Sequence, residues 1–259
     1  MKKPLNRHQK LLAGKRRNIE SNKSLGRRLA FVAGAINAGG FLVVNQYTSH
    51  MTGVISIAAD KFAVGQWLSA TTMLIYIACF IFGATTTALI VICARTKQLH
   101  SRYALPLTLE AILLLIFGVT NSKYTPNLHL GAPYIIALLC YLMGLQNAVI
   151  TKISSTRIRT THITGMVTDI SIEAGRILFS CSKHGKQHVN PDNEQILLHI
   201  SIISMFLLGG ICGAYGFNYI GFLTVLPLAG YLLFIAYMPI RQDLLIKQYL
   251  RKRIFREIV

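Results

Sequence analysis

Apolar residues gather in six runs along this chain, at 29–47, 70–94, 104–120, 132–150, 196–217 and 219–240. Each has about the length that a helix needs to cross roughly 30 Å of hydrocarbon. The alternating ten-residue segments of an outer-membrane barrel are absent. The pattern therefore predicts an all-α integral membrane protein. Two further segments, 48–66 and 160–180, are only moderately apolar, and polar positions gather at their starts.

Those starts are copies of each other. Thr48-Ser49-His50-Met51-Thr52-Gly53 returns as Thr160-Thr161-His162-Ile163-Thr164-Gly165. Each follows an apolar run carrying Gly-x-x-Asn-Ala, at Gly34 to Ala38 and at Gly144 to Ala148. The two features are offset by 110 and 112 residues, so two halves align with one short gap. In membrane proteins, a repeat that sets polar residues and glycine among apolar helices points to a site between the repeats.

Charge decides how the segments lie. If the two motif segments crossed the bilayer, there would be eight spans, and 95–103 would lie outside together with Lys152, Arg157 and Arg159. That violates the tendency of Lys and Arg to stay on the cytoplasmic side. If neither crosses, six spans remain and both termini are cytoplasmic. The N-terminal tail, 95–103, 152–186 and 241–259 then hold ten, three, six and six basic residues on the inside, 25 of the 27 in the chain. Each half has three spans, so the halves insert with opposite orientation. The expected fold is six transmembrane helices as a 3+3 inverted repeat with two re-entrant or broken-helix segments that approach each other near the midplane.

The organisation that follows is a basic cytoplasmic tail at 1–28, a membrane domain at 29–240 and a basic amphipathic cytoplasmic tail at 241–259. The first repeat occupies 29–120 and the second 132–240. The linker 121–131, with Asn121, Pro126 and Asn127, breaks helix. Small residues at Gly34, Ala35, Ala38 and Gly39, and at Gly209, Gly213 and Gly216, suit close helix packing.

Composition agrees: the chain is 53% hydrophobic and 14% charged, with mean hydropathy +0.47. The net charge of +18 would suggest nucleic acid in a soluble protein. Here it sits in the tails and between spans, where it attracts anionic lipid, so no nucleic-acid partner is expected. The cysteines, Cys79, Cys93, Cys140, Cys181 and Cys212, form no CxxC pair and read as inert thiols. No catalytic fingerprint is present, and neither an enzyme activity nor a cofactor or metal is expected.

The candidate pathway residues come from the repeated motifs and the few buried acids. Thr52 and Thr164 can cap the helices that follow. Gly53 and Gly165 permit close approach. A half-helix starting there would aim free N–H groups at an anion. His50 and His162 can titrate near neutral pH. Asn37 and Asn147 either bond between helices or, in a pathway, coordinate a solute or bind the motif of the opposite half. Asp60 can pair with Lys61. Asp169 and Glu173 lie on one helical face, with Arg176 three residues beyond Glu173. Asp169, directly after the motif, is the first choice for ion or proton coupling, and Asp60 the second. Glu110 stands alone in the third span.

These motifs resemble those of the YoaK-like family of bacterial integral membrane proteins, a family of unknown function. The likeness covers about residues 26–240. It rests on Gly34-x-x-Asn37-Ala38, His50-Met51-Thr52-Gly53, Gly144-Leu145-Gln146-Asn147-Ala148, and Thr160 to Gly165 with Thr168-Asp169. The family usually carries Asp where this chain has Asn37, and Asn where it has Val54. The resemblance implies a location in the bacterial cytoplasmic membrane. With the repeat, the expectation is a small secondary transporter or permease for a small polar or anionic solute. The chain would sit in the lipid bilayer with anionic lipids at its basic tails, and it could form a homo-oligomer. The alternative is a non-transporting membrane scaffold or lipid-binding regulator.

Overall fold

A computed structural model of the chain describes residues 19–44, 46–121, 132–154, 158–180 and 192–258. Residues 1–18 of the basic tail, most of the linker with Lys123 and Pro126, Arg157 and Cys181 lie outside the described residues.

The described residues are helical, without strands. Eight α-helices follow in order: α1 (Ile19–Val44), α2 (Met51–Ala63), α3 (Trp67–Thr96), α4 (Ala104–Asn121), α5 (Ala132–Ser154), α6 (Ile163–Ser180), α7 (Asn193–Ile220) and α8 (Val225–Ile258). A 3-10 turn, Gly221–Thr224, joins α7 to α8, and Gly221 there has φ 60°, the left-handed region open to glycine. Two boundaries differ from expectation. Helix α1 begins at Ile19, well inside the segment read as a tail, because Ser21, Asn22 and Lys23 continue the helix beyond the apolar run. Helix α8 likewise runs on past Ile240, with Pro239 inside it, through the segment read as a separate amphipathic tail.

Among the described residues, four segments are long and apolar enough to cross a membrane: Trp67–Thr96, Ala104–Asn121, Pro133–Ser154 and Asn193–Gln248. The last contains the break at Gly221 and comprises α7 and α8 as far as Gln248. Large apolar side chains face outward, including Leu68, Phe82, Leu178, Leu207 and Phe234. That reverses the soluble pattern and identifies a multi-pass membrane protein.

Helix α1 is largely enclosed, with Leu25, Leu29, Val32 and Ile36 fully buried. It packs mainly against α7 and also meets α5, while α5 packs mainly against α3. Helices α4 and α8 pack together, α2 rests on α3, and α6 on α7. Exchanging the first four helices for the last four reproduces these pairings: α1 with α7 becomes α5 with α3.

The correspondence extends to single atoms. A Cβ at Gly34 would overlap the Phe206 carbonyl oxygen, and one at Gly209 would overlap that of Phe31. In the other half a Cβ at Gly144 would overlap the Phe80 carbonyl, and one at Gly83 that of Tyr141. Both crossings therefore use an aromatic-x-x-Gly step on each helix, with glycine admitting the opposite backbone. One turn further, a Cβ at Gly213 would collide with Ala35, whereas Thr87 donates its hydroxyl to the Leu145 carbonyl at 2.9 Å. Of the small residues noted in the first and fifth apolar runs, Gly34, Ala35, Gly209 and Gly213 lie at this crossing, whereas Gly39 faces Phe217 and Gly216 faces Thr224. Cys79, Cys93, Cys140 and Cys212 are free thiols.

Candidate functional site

The two motif copies meet across one cavity. It has a volume of about 520 Å³ and is lined by Asn37, Tyr47, Ser49, His50, Met51 and Thr52 from the first half, with Thr161, His162, Ile163 and Thr164 from the second. Phe80 and Phe206 complete it. They are the same aromatics whose carbonyls receive Gly144 and Gly34, so the helix crossings that hold the scaffold also set the cavity wall.

Each asparagine secures the motif of its own half. Asn37 Oδ1 accepts from the Thr48 N–H at 3.1 Å, the Ser49 N–H at 3.2 Å and the Ser49 hydroxyl at 3.1 Å. Asn147 Oδ1 accepts from the Thr160 hydroxyl at 3.2 Å and the Thr161 hydroxyl at 2.8 Å, while its amide donates to the Met143 carbonyl at 2.9 Å. An asparagine oxygen has two lone pairs and suits such convergence. Reaching the motif of the opposite half, one of the roles expected for Asn37 and Asn147, is not what they do.

The threonine caps are also corrected. Helix α2 begins at Met51 with His50 before it and no side-chain cap, so Thr52 lies inside the first turn. Thr164 holds the same second position in α6. Gly53 accommodates the His50 ring, which a Cβ there would strike, whereas a Cβ at Gly165 would meet nothing within 4 Å. The first N–H groups of a helix have no partner in their own helix. Two helix starts at one cavity place such donors and two positive dipole ends there, beside two imidazoles and several hydroxyls. No carboxylate is among the lining residues described. The arrangement suits a small anion or a polar solute with an apolar part against the phenylalanines.

The predicted acids lie away from this cavity. Asp60 is exposed near the end of α2, and Lys61 bonds Gln66 at 2.8 Å rather than Asp60. Glu173 is buried, pairs with Arg176 at 2.7 Å and accepts the Asp192 N–H at 3.0 Å, tying α6 to the start of α7. Asp169 stands 4.0 Å from the Nδ1 atom of His199 on α7. Glu110 is fully buried, and neither of its carboxyl oxygens has a hydrogen-bond partner. Gln146 beside Asn147 is buried with both amide atoms unpartnered.

Several residues escaped the sequence reading. Phe80 and Phe206 carried a usable signal, since Phe-x-x-Gly occurs at both positions and Phe31 to Gly34 and Tyr141 to Gly144 repeat the step. His199 carried none, because one histidine in an apolar run has no counterpart in the other half. Asp243 on α8 accepts the His100 N–H at 2.9 Å, the Ser101 N–H at 2.8 Å, and lies 3.1 Å from His100 Nδ1. It thereby clamps the turn after α3. Past the apolar run of α8, burial pushes this carboxyl up, but the bonds from Ser101 and His100 outweigh it and hold it below the usual carboxylate range.

A family model described as "Protein of unknown function (DUF1275)" matches residues 25–238. No curated protein matches the chain, and no solved structure does.

Proposed function

The chain belongs to the family of unknown function DUF1275, and from that premise we propose that it is a small secondary transporter or permease for a small polar or anionic solute. The observation that carries this reading is the cavity of about 520 Å³ between the two motif copies. A binding site formed in common by two sequence-related halves is the arrangement from which alternating access is built.

The finer architecture belongs to the same proposal. Six spans form a 3+3 inverted repeat, with α2 and α6 as the re-entrant elements. Helix α2 has 13 residues, about 20 Å at the helical rise and short of a bilayer's hydrocarbon. The distribution of Lys and Arg supports cytoplasmic termini in a bacterial inner membrane. The YoaK-like likeness of the motifs supports the same location. Anionic lipid headgroups meet the basic tails, the chain can associate with further copies, and no catalytic step is assigned.

Uptake into proteoliposomes tests the function. Saturable flux of a small anion or polar solute, reduced by Asn147→Ala, is expected. No flux across a broad panel, with and without ion gradients, refutes it. If truncating the basic tails then abolishes the cellular phenotype while Asn147→Ala does not, the scaffold reading replaces it. Impermeant labelling of single cysteines at residues 98 and 123 tests topology, and external reaction at 98 would sink the six-span scheme.

A further inference from the structure

Helix α7 carries a buried ionisable residue that the cavity between the motifs does not use. His199 is only 5% exposed, and its Nδ1 atom has no hydrogen-bond partner. A buried imidazole nitrogen left unbonded is unusual in a folded core and calls for an explanation. Among the described residues, the carboxylate that approaches it is Asp169 of α6, with Oδ2 at 4.0 Å, too far for a direct hydrogen bond but within reach through modest movement or one water. Asp169 itself is half-exposed, at 49% of its side chain.

Position gives the pair its meaning. Helix α6 starts at the motif cavity with Ile163 and reaches Asp169 six residues later, about 9 Å along its axis. Helix α7 presents His199 seven residues, about 10 Å, before Phe206 of the same cavity. His199 also lines a second cavity of about 730 Å³ at the N-terminal ends of α1 and α7 and the C-terminal end of α5. The imidazole therefore stands between the two.

The neighbouring charged groups described have partners of their own; on α1, Arg27 donates to the Lys23 carbonyl at 3.3 Å and Arg28 to the Tyr231 hydroxyl at 3.2 Å. On α1, Lys23 binds Glu20 at 3.2 Å and Glu194 of α7 at 3.0 Å. On α7, Asp192 caps its own helix by accepting the Gln195 N–H at 3.0 Å. On α6, Glu173 holds Arg176. The end of α5 contributes Ser154, whose hydroxyl bonds the Ile158 backbone, and no charge among the cavity-lining residues described. Asp169 is left facing His199.

The pair exists in one half only. In the register that carries Gly83 to Gly209, His199 corresponds to Met73, whose sulfur accepts from Gln46 at 3.3 Å. In the register that carries Gly53 to Gly165, Asp169 corresponds to Ile57.

We propose that His199 and Asp169 form a proton-binding site beside the second cavity, and that under the transporter reading, on which this last step rests, the proton is the coupling ion. Protonation converts the imidazole into a donor at both nitrogens and gives Nδ1–H a carboxylate to meet. That contact draws α7 and α6 together on the side of the second cavity and leaves the first half unaltered. A proton taken up there acts on one side of the molecule alone, which two equivalent sites would not do.

Nitrogen-15 imidazole NMR on the full chain in lipid nanodiscs tests this with the proton itself as ligand. The His199 resonance is assigned by its loss in His199→Gln, or in His199→Asn if the first variant misfolds. Reversible conversion to imidazolium as the medium is acidified is expected. In Asp169→Asn, whose site is half-exposed, the imidazolium fraction at pH 6 should fall about threefold or more. A His199 that stays neutral throughout, or that protonates identically in Asp169→Asn, overturns the proton site. Solute flux that persists in proteoliposomes without any proton gradient dependence would overturn the coupling role and leave the transport function standing.

Discussion

Gly144→Ala adds one methyl group to the middle of α5, at a position where the Phe80 backbone leaves no space for it. The new Cβ would overlap the Phe80 carbonyl oxygen, and the carbonyl carbon and Cα lie close behind. Because the obstacle is backbone, no rotamer change relieves it. The α3–α5 crossing would have to open by roughly 1 Å to restore ordinary contact distances. Overpacking of this kind costs about 1–3 kcal/mol, and an immovable partner points to the upper part of that range. Gly165→Ala supplies the control: a Cβ there meets nothing within 4 Å, and it too lies in a helix. The propensity gain of alanine over glycine, about 1 kcal/mol, is common to both and cancels in the comparison. What remains is the cost of packing, a difference of about 1–3 kcal/mol between the variants.

Reversible unfolding in mixed micelles, followed by the fluorescence of the lone Trp67, gives the measurement. The mirrored variant Gly34→Ala strikes the Phe206 carbonyl in the same way and should lose a similar amount. If Gly144→Ala and Gly165→Ala have equal stability, the close crossing is not present in the membrane. If Gly144→Ala is destabilised and Gly34→Ala is not, the matched construction of the two halves is refuted.

Three further outcomes follow from the bonds described. Asn147→Ala should free the Thr160 and Thr161 hydroxyls and cost about 1–3 kcal/mol; faster hydrogen exchange at 158–163 measures it, and unchanged exchange refutes the anchoring role. Glu173→Gln should release the start of α7, because both the ion pair with Arg176 and the charged acceptor for the Asp192 N–H are lost, at about 1–3 kcal/mol; increased exchange at 192–195 checks it, and a silent substitution counts against the tie. The Asp243 clamp should respond to acid: a carboxyl held below its usual range contributes stability above that range and loses it as pH falls through the folded value, so exchange protection at 98–102 in the wild type should decline in acid towards that of Asp243→Asn, and protection independent of pH would refute it.

Much of the scaffold could be read from periodicity because a bilayer imposes length on its helices. The run 104–120 and helix Ala104–Asn121 nearly coincide. The tails could not be delimited that way, since a helix continues through polar residues once its apolar part is packed, as α1 does at Asn22 and Lys23. Both copies of the repeated motif line one cavity. What spelling does not encode is which partner a polar side chain takes. Lys61 bonds Gln66 rather than Asp60 because the turn after α2 brings Gln66 back onto it. Thr52 misses the cap because the helix begins one residue before it. His199 and Asp169 are thirty residues apart, and only the packing of α6 on α7 joins them.

The two halves are alike in what holds them and unlike in what they offer. Both crossings use aromatic-x-x-Gly, and both motifs hang from an asparagine. Yet Asn37 grips the backbone of its loop at two N–H groups, while the described bonds of the Asn147 oxygen are to hydroxyls alone. Breaking the first contact strands backbone donors at a buried position, whereas Thr160 and Thr161 can rotate and exchange a partner. The His50 ring lies over Gly53, and no such crowding exists at Gly165 beside His162. Asp169 and His199 add an ionisable pair to this second half only. Asn37 accepts three bonds with one neutral oxygen, so anchoring the first loop requires no charge. On the transporter reading, the first half is the fixed wall of the cavity, and the adjustable bonds and the ionisable pair belong to the second. A transporter with that division should lose flux through changes at Thr161 and His162 more than through the matching changes at Ser49 and His50, and equal losses at both would count against it.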